Sequence, residues 1–145
     1  MADVVWTQES LLHAEDRSQV LREAARILRP GGKLLLTDIL QLDVMQAEEQ
    51  RLIYKRVSLK SLESFESYRE LIDGVGLQLL ETVDLSRYVG PYYADLAANL
   101  LHHRDELVRA IDPEYVEYTI GAMRRWADAA YAGKLGLGMF LSRKL

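Results

Sequence analysis

The feature that most constrains this chain is a pair of short apolar runs joined by a helix. Asp3-Val4-Val5-Trp6 comes first, and Lys33-Leu34-Leu35-Leu36-Thr37-Asp38 second. Both are nearly continuous in apolar residues, as strands buried on both faces of a sheet should be. Between them Asp16 is placed to cap a helix, with Gln19 at the capping-box position. Val20, Leu21, Ala24, Ile27 and Leu28 fall at helical spacing on one face. Pro30-Gly31-Gly32 stops that helix and turns the chain. A strand, a helix and a second strand in this order form a crossover unit with parallel strands.

The alternation continues downstream. Residues 41–62 set Val44, Leu52 and Ile53 against Arg51, Lys55, Arg56 and Lys60, and read as an inserted amphipathic helix. Ser64 caps a further helix with the buried stripe Phe65, Tyr68, Leu71, Ile72 and Val75, and Gly76 ends it in the left-handed conformation. A third strand spans 77–85. Gly90-Pro91 opens a long helix with Leu96, Leu100, Leu101 and Leu107 as its spine. Asp112-Pro113 starts another, which runs to about residue 132 and is closed by Gly133; the last strand spans 135–143. Such alternation implies an α/β fold on a mainly parallel sheet.

Composition narrows the class of function. The chain of 145 residues has half its residues apolar and a net charge of −4, which argues against nucleic acid or an anionic membrane as partner. It has no cysteine, so disulfides and thiolate metal sites are excluded, and no metal site is expected. No apolar run approaches the ~20 residues needed to span a bilayer. Met1-Ala2-Asp3 lacks the basic and apolar regions of a signal peptide, and a cytoplasmic protein is expected.

Several stretches resemble class I S-adenosylmethionine-dependent methyltransferases. They are Asp3-Val4-Val5-Trp6-Thr7-Gln8-Glu9-Ser10-Leu11-Leu12-His13, Leu28-Arg29-Pro30-Gly31-Gly32-Lys33, Leu36-Thr37-Asp38, Ser67-Tyr68-Arg69, Asp84-Leu85-Ser86-Arg87-Tyr88 and Gly133-Lys134-Leu135-Gly136. The resemblance covers nearly the whole chain. It is closest to sarcosine/dimethylglycine and phosphoethanolamine N-methyltransferases. It implies a partial Rossmann-like methyltransferase sheet made of the last four strands, with flanking and inserted helices. The final strand would run antiparallel and insert between the two before it. Residues 1–145 would then form the C-terminal portion of the domain, with an insertion at about 41–62 and a helical segment at about 90–132. The N-terminal half, with most of the S-adenosylmethionine site, would lie outside it.

Ligands of open α/β sheets bind at the carboxyl ends of the strands. Trp6, Thr7 and Gln8 lie at such an end, and the resemblance makes them cofactor-binding residues; a polar loop with one packed Trp is the plainer alternative. His13 matches a catalytic histidine of the phosphoethanolamine-type enzymes, where it would be a general base or an orienter of the amine. The alternative is a helix-entry histidine that bonds only backbone. Glu9, Ser10, Asp38, Arg56, Tyr92 and Tyr93 are the expected substrate contacts, within a wider supply of Tyr54, Tyr68, Arg69 and Tyr88. Tyrosine faces attract methylated ammonium groups, and an Arg grips a carboxylate or phosphate. For Asp38 the alternative is a cap on the segment after its strand, and Tyr68 reads as core. His102 and His103 read as solvated, and Met123, Trp126 and Tyr131 as core or interface.

The resemblance implies methyl transfer to a small molecule, an amine such as an N-methylated glycine. This chain would supply the substrate side of the site, bind S-adenosylmethionine weakly and be inactive alone. The first strand would form an apolar edge, so a homo-oligomer or a complementary N-terminal half is the expected partner. The alternative is a non-enzymatic binding or assembly module. A reductase is disfavoured, because the chain has neither a Gly-rich fingerprint after a strand nor a Tyr-x-x-x-Lys pair.

Overall fold

A computed structural model describes residues 1–145. The elements are β1 (Ala2–Gln8), α1 (Arg17–Ile27), β2 (Leu28–Gln41), α2 (Ala47–Lys55), α3 (Phe65–Gly74), β3 (Leu77–Asp84), α4 (Val89–His102), α5 (Arg104–Ala110), α6 (Pro113–Tyr131) and β4 (Leu135–Lys144). Short 3₁₀ turns, Leu11–His13 and Ser86–Tyr88, follow β1 and β3. The four strands form one sheet in the order β1-β2-β4-β3. β1 runs parallel to β2, with Val4 opposite Lys33 and Gln8 opposite Thr37. β4 inserts antiparallel between β2 and β3, as the family pattern implies.

Local chemistry explains the boundaries. The Asp16 carboxylate accepts the Gln19 backbone N–H at 2.9 Å and starts α1. Its buried side is Leu21, Ala24 and Ala25, whereas Val20 and Ile27, expected inside, are about 40% exposed. β2 is longer than the expected 33–38: it starts at Leu28, opposite Ala2, and takes in the Pro30-Gly31-Gly32 segment expected as a turn, while β4 gives it a partner as far as Gln41, opposite Leu135. Ser64 and Ser67 make a reciprocal capping box at the start of α3. Gly76 and Gly133 hold the positive φ angles that close α3 and α6.

Two of the expected helices are shorter. Within 41–62 only α2 is helical, and Val44 points to solvent. The backbone of Gln41 and Leu42 is drawn away by hydrogen bonds to Glu63 and Lys134, and Ser58 turns the chain at a φ of 54°. The long helix after Gly90-Pro91 breaks at His103 into α4 and α5. The buried spine of α4 is Val89, Tyr93 and Ala97, while Leu101 is exposed. α4 packs along α6, and the small Ala97 suits that approach.

Each sheet face has its own core. On one, Leu34, Leu36, Leu40 and Phe140 meet α1 and α3 through Leu21, Tyr68 and Ile72. On the other, Ile39 and Leu135 meet Ile53 of α2, Val89 and Tyr93 of α4, and Trp126 of α6. Trp126 is fully buried, and its indole N–H donates to the Ile53 carbonyl at 3.0 Å. β1 lies at the sheet edge with Val4 and Trp6 exposed, while Val5 packs inward. No helix is long and apolar enough to cross a membrane.

Candidate active site

β1 ends at Gln8, opposite Thr37 of β2, which runs on to Gln41, and the chain leaves β1 through a constrained turn. Thr7 and Ser10 bond through their hydroxyls at 2.6 Å. Glu9 adopts a φ of 42°, a conformation that costs a non-glycine residue on the order of 1–3 kcal/mol. Two contacts with β2 hold it there. Its backbone N–H donates to the Thr37 carbonyl at 2.8 Å, and its carboxylate accepts the Thr37 hydroxyl at 2.9 Å.

Buried Arg17, at the start of α1, anchors the same turn from beneath. Its guanidinium donates to the carbonyls of Leu11, Leu12 and Ser61, to the Ser61 hydroxyl, and to the Glu63 carboxylate at 2.9 Å. The turn after β1 is thereby fixed to the segment before α3. Sequence reasoning missed Arg17, since nothing local distinguishes it from an exposed helical arginine.

Above the strand ends lies a cavity of 340 Å³. Its floor is Gln8 and Glu9 of the β1 end, Ile39 of β2 and Leu137 of β4. Its wall comes from the start of α4 and the turn before it: Tyr88, Val89, Tyr92 and Tyr93. Tyr92 and Tyr93 meet edge to face, with ring centroids 5.2 Å apart. Tyr88 and Tyr92 are half exposed at the opening, whereas Tyr93 is buried. Burial pushes the Tyr93 phenol above its ordinary range; the Arg56 charge opposes this, and the charges of Tyr92 and Glu9 add to it. Glu9 is thus the one acidic group in a wall of tyrosine rings and aliphatic side chains, a lining suited to a small cation.

The cavity brings together four of the expected site residues, Gln8, Glu9, Tyr92 and Tyr93. Trp6 and Ser10 are exposed beside it, and Thr7 is bonded to Ser10. His13 is exposed at the end of its 3₁₀ turn and does not line the cavity. Arg56 lies behind the wall. Its guanidinium carbon is 5.1 Å from the Tyr93 ring centroid and 4.6 Å from that of Trp126.

Asp38 is not a substrate contact. It is 1% exposed and sits on the sheet face beneath α3, where its Oδ2 accepts the Tyr68 hydroxyl and its Oδ1 has no partner. Burial pushes its carboxyl up to about 6, against the opposing effects of the Tyr68 hydrogen bond and the Arg17 charge. Tyr54 is likewise turned inward and bonds Gln41 at 2.5 Å, and Arg69 pairs with Glu66 on the surface of α3. Ile39, Val89 and Leu137 went unrecognised, because apolar residues that line a cavity look like core in a sequence.

A four-stranded sheet in this order with an antiparallel final strand is similar to the second half of class I S-adenosylmethionine-dependent methyltransferases, and the sequence comparisons point the same way. The family model "Methyltransferase domain" matches residues 1–36. The glycine/sarcosine/dimethylglycine N-methyltransferase of Actinopolyspora halophila is 37% identical over 141 residues, covering 97% of this chain and 25% of that protein. The sarcosine/dimethylglycine N-methyltransferase of Halorhodospira halochloris is 31% identical, covering 98% of this chain and 51% of that protein. A solved structure from Galdieria sulphuraria, assigned as a sarcosine dimethylglycine methyltransferase, superposes with a TM-score of 0.86 at 30% identity. It covers 98% of this chain and 52% of that one. The chain thus spans a quarter to about half the length of these relatives.

Proposed function

We propose that this chain takes part in S-adenosylmethionine-dependent methyl transfer to a small amine such as an N-methylated glycine, and supplies the acceptor side of the site. The observation that carries this reading is the cavity at the β1 and β2 ends, where a single carboxylate, Glu9, stands among Tyr88, Tyr92 and Tyr93. The names of the relatives support the acceptor class. The lining suits the positive charge carried both by a methylammonium group and by a sulfonium methyl donor.

When bound, S-adenosylmethionine supplies a methyl group on a positively charged sulfur, already activated for transfer. Trp6, Thr7 and Gln8 would hold it from the end of β1. The work of this chain is then alignment and proton handling. Tyr88, Tyr92 and Tyr93 offer ring faces to the substituted nitrogen. Glu9 holds the ammonium and takes up its proton, while exposed His13 on the adjoining turn is the second candidate to receive it. Ile39, Val89 and Leu137 exclude water from the floor and wall. This reading assigns the reaction to the cytoplasm, with cofactor affinity weak in the isolated chain because the rest of the grip comes from a complementary N-terminal half.

One observation favours a second reading, a non-enzymatic binding or assembly module. The β1 edge is unpaired, with Val4 60% and Trp6 67% exposed, and such an edge invites a homo-oligomer or another partner. Calorimetric titration with S-adenosylhomocysteine, with light scattering on the same sample, separates the two. Saturable binding supports the methyltransferase reading. A folded, associated sample that takes up no cofactor supports the module.

A further inference from the structure

The geometry points to a charge axis through this cavity, with Glu9 on its floor and Arg56 behind its Tyr93 wall, that selects a zwitterionic acceptor and fixes its orientation. The ammonium end lies at Glu9 and the acid end is turned toward Arg56. This inference rests on the cavity being the acceptor site, and it makes Arg56 a specificity-determining residue.

Arg56 is unusual among the cations of the fold. It is partly buried, its Nε is shielded from water, and its guanidinium forms neither a hydrogen bond nor an ion pair with any residue of the chain. Two aromatic rings, Tyr93 and Trp126, hold its guanidinium instead. Ring faces attract a guanidinium but leave its charge uncancelled and its N–H groups free to donate. A shielded cation without an anion is costly to keep. Other shielded cations have partners: Arg17 meets Glu63 at 2.9 Å, Lys134 meets Glu49 at 2.7 Å, and Lys144 donates to the Leu28 carbonyl at 2.8 Å. Arg125 also has an unpartnered Nε, but it shares a hollow with Glu49 and Asp128.

Tyr93 links this free charge to the cavity, because its ring is both a wall of the cavity and a face of the Arg56 clamp. Arg56 and Glu9 act on the Tyr93 phenol with opposite sign, so both fields reach that wall. An amine without an acid group uses the Glu9 end alone. An amino acid derivative uses both ends, and a reversed pose opposes both charges. Arg87, at the opening, stacks on Tyr88 and bonds its hydroxyl, but it is exposed, and water screens its charge.

The test compares N,N-dimethylglycine with N,N-dimethylaminoethanol, which keeps the amine and lacks the carboxylate. The 145-residue chain is titrated with each while the indole N–H resonance of Trp126 is followed. The wild type should prefer dimethylglycine by roughly tenfold, as expected for one additional partly shielded charge pair. Arg56→Gln should bring the ratio of the two affinities close to one; Arg56→Lys should keep part of the preference, and Arg87→Gln all of it. The axis is overturned if the preference survives Arg56→Gln, if both ligands weaken together, if Arg87→Gln abolishes it, or if the wild type binds neither. Equal binding of the two ligands by the wild type removes the axis and leaves the amine-acceptor reading standing. If neither binds, the S-adenosylhomocysteine titration decides the methyltransferase reading separately.

Discussion

Tyr68 donates its phenolic proton to the Oδ2 of Asp38 inside the core, where neither residue meets water. One hydroxyl is thus the only side-chain donor for a buried carboxylate whose other oxygen is unpartnered. Arg17 lies near enough to act on the pair, but its own hydrogen bonds go to Leu11, Leu12, Ser61 and Glu63.

This arrangement sets a pH dependence. Burial raises the Asp38 carboxyl from 3.8 to about 6, so ionisation costs the native state and not the unfolded chain. The cost is absent below the unfolded value of 3.8, grows with pH, and is complete above about 6. At 1.36 kcal/mol per pH unit the full cost is about 3 kcal/mol. Asp38→Asn keeps an acceptor for Tyr68 and removes the charge. Urea midpoints should show the variant gaining stability over the wild type at pH 8 and losing that advantage at pH 4.

Arg17→Met should be severely destabilising. It removes the guanidinium and leaves three carbonyls and the Glu63 carboxylate without their donor. Breaking a buried pair on one side costs on the order of 3–5 kcal/mol. Chemical denaturation measures the loss. A variant within about 1 kcal/mol of wild type, the range of exposed ion pairs, would show that this network does not anchor the turn after β1.

Glu9→Gln should weaken binding of dimethylglycine by about 10- to 100-fold, the worth of a hydrogen bond to a charged group. His13→Ala, outside the cavity wall, should act on turnover and not on acceptor affinity. Acceptor titrations, with turnover measured in the presence of the proposed complementary half, separate the two roles. Unchanged turnover in His13→Ala would remove that residue from the reaction.

Gly136→Ala tests how the turn before α4 is held. A Cβ there would stand 2.3 Å from the Ser86 hydroxyl oxygen and 2.6 Å from Leu42 Cδ1. That hydroxyl accepts the Leu137 N–H at 3.2 Å and ties the Ser86–Tyr88 turn to β4. The variant should lose about 1–3 kcal/mol from overpacking and bind amines less well, as Tyr88 is displaced. Thermal melts and an acceptor titration read the two effects.

Much of the fold was legible because local signals agree with it. Asp16, Ser64, Gly76 and Gly133 each mark a helix end through capping or a positive φ. The place of β4 came from family resemblance and not from spacing. What the sequence hid depended on tertiary contacts. Apolar periodicity gave Val20 and Ile27 the same weight as Leu21, and only the packing against β2 separates them. β2 is apolar on both faces, so its pattern could not tell that Ile39 lines the cavity while its neighbour Asp38 faces the opposite core. Gln8, Glu9, Tyr92 and Tyr93 were readable from residue type at a strand end and a helix start. The ring clamp on Arg56 needed α2, α4 and α6 in place together.

The most direct test of the central claim is residue-resolved NMR of the ¹⁵N-labelled chain, titrated with S-adenosylhomocysteine and then with dimethylglycine. The account predicts saturable shifts at Trp6, Thr7 and Gln8 for the first ligand, in the millimolar range. For the second it predicts shifts at Glu9 and across Tyr88, Val89, Tyr92 and Tyr93. A well-folded chain whose spectrum is unmoved by either ligand, or moved only away from the β1 and β2 ends, would contradict it.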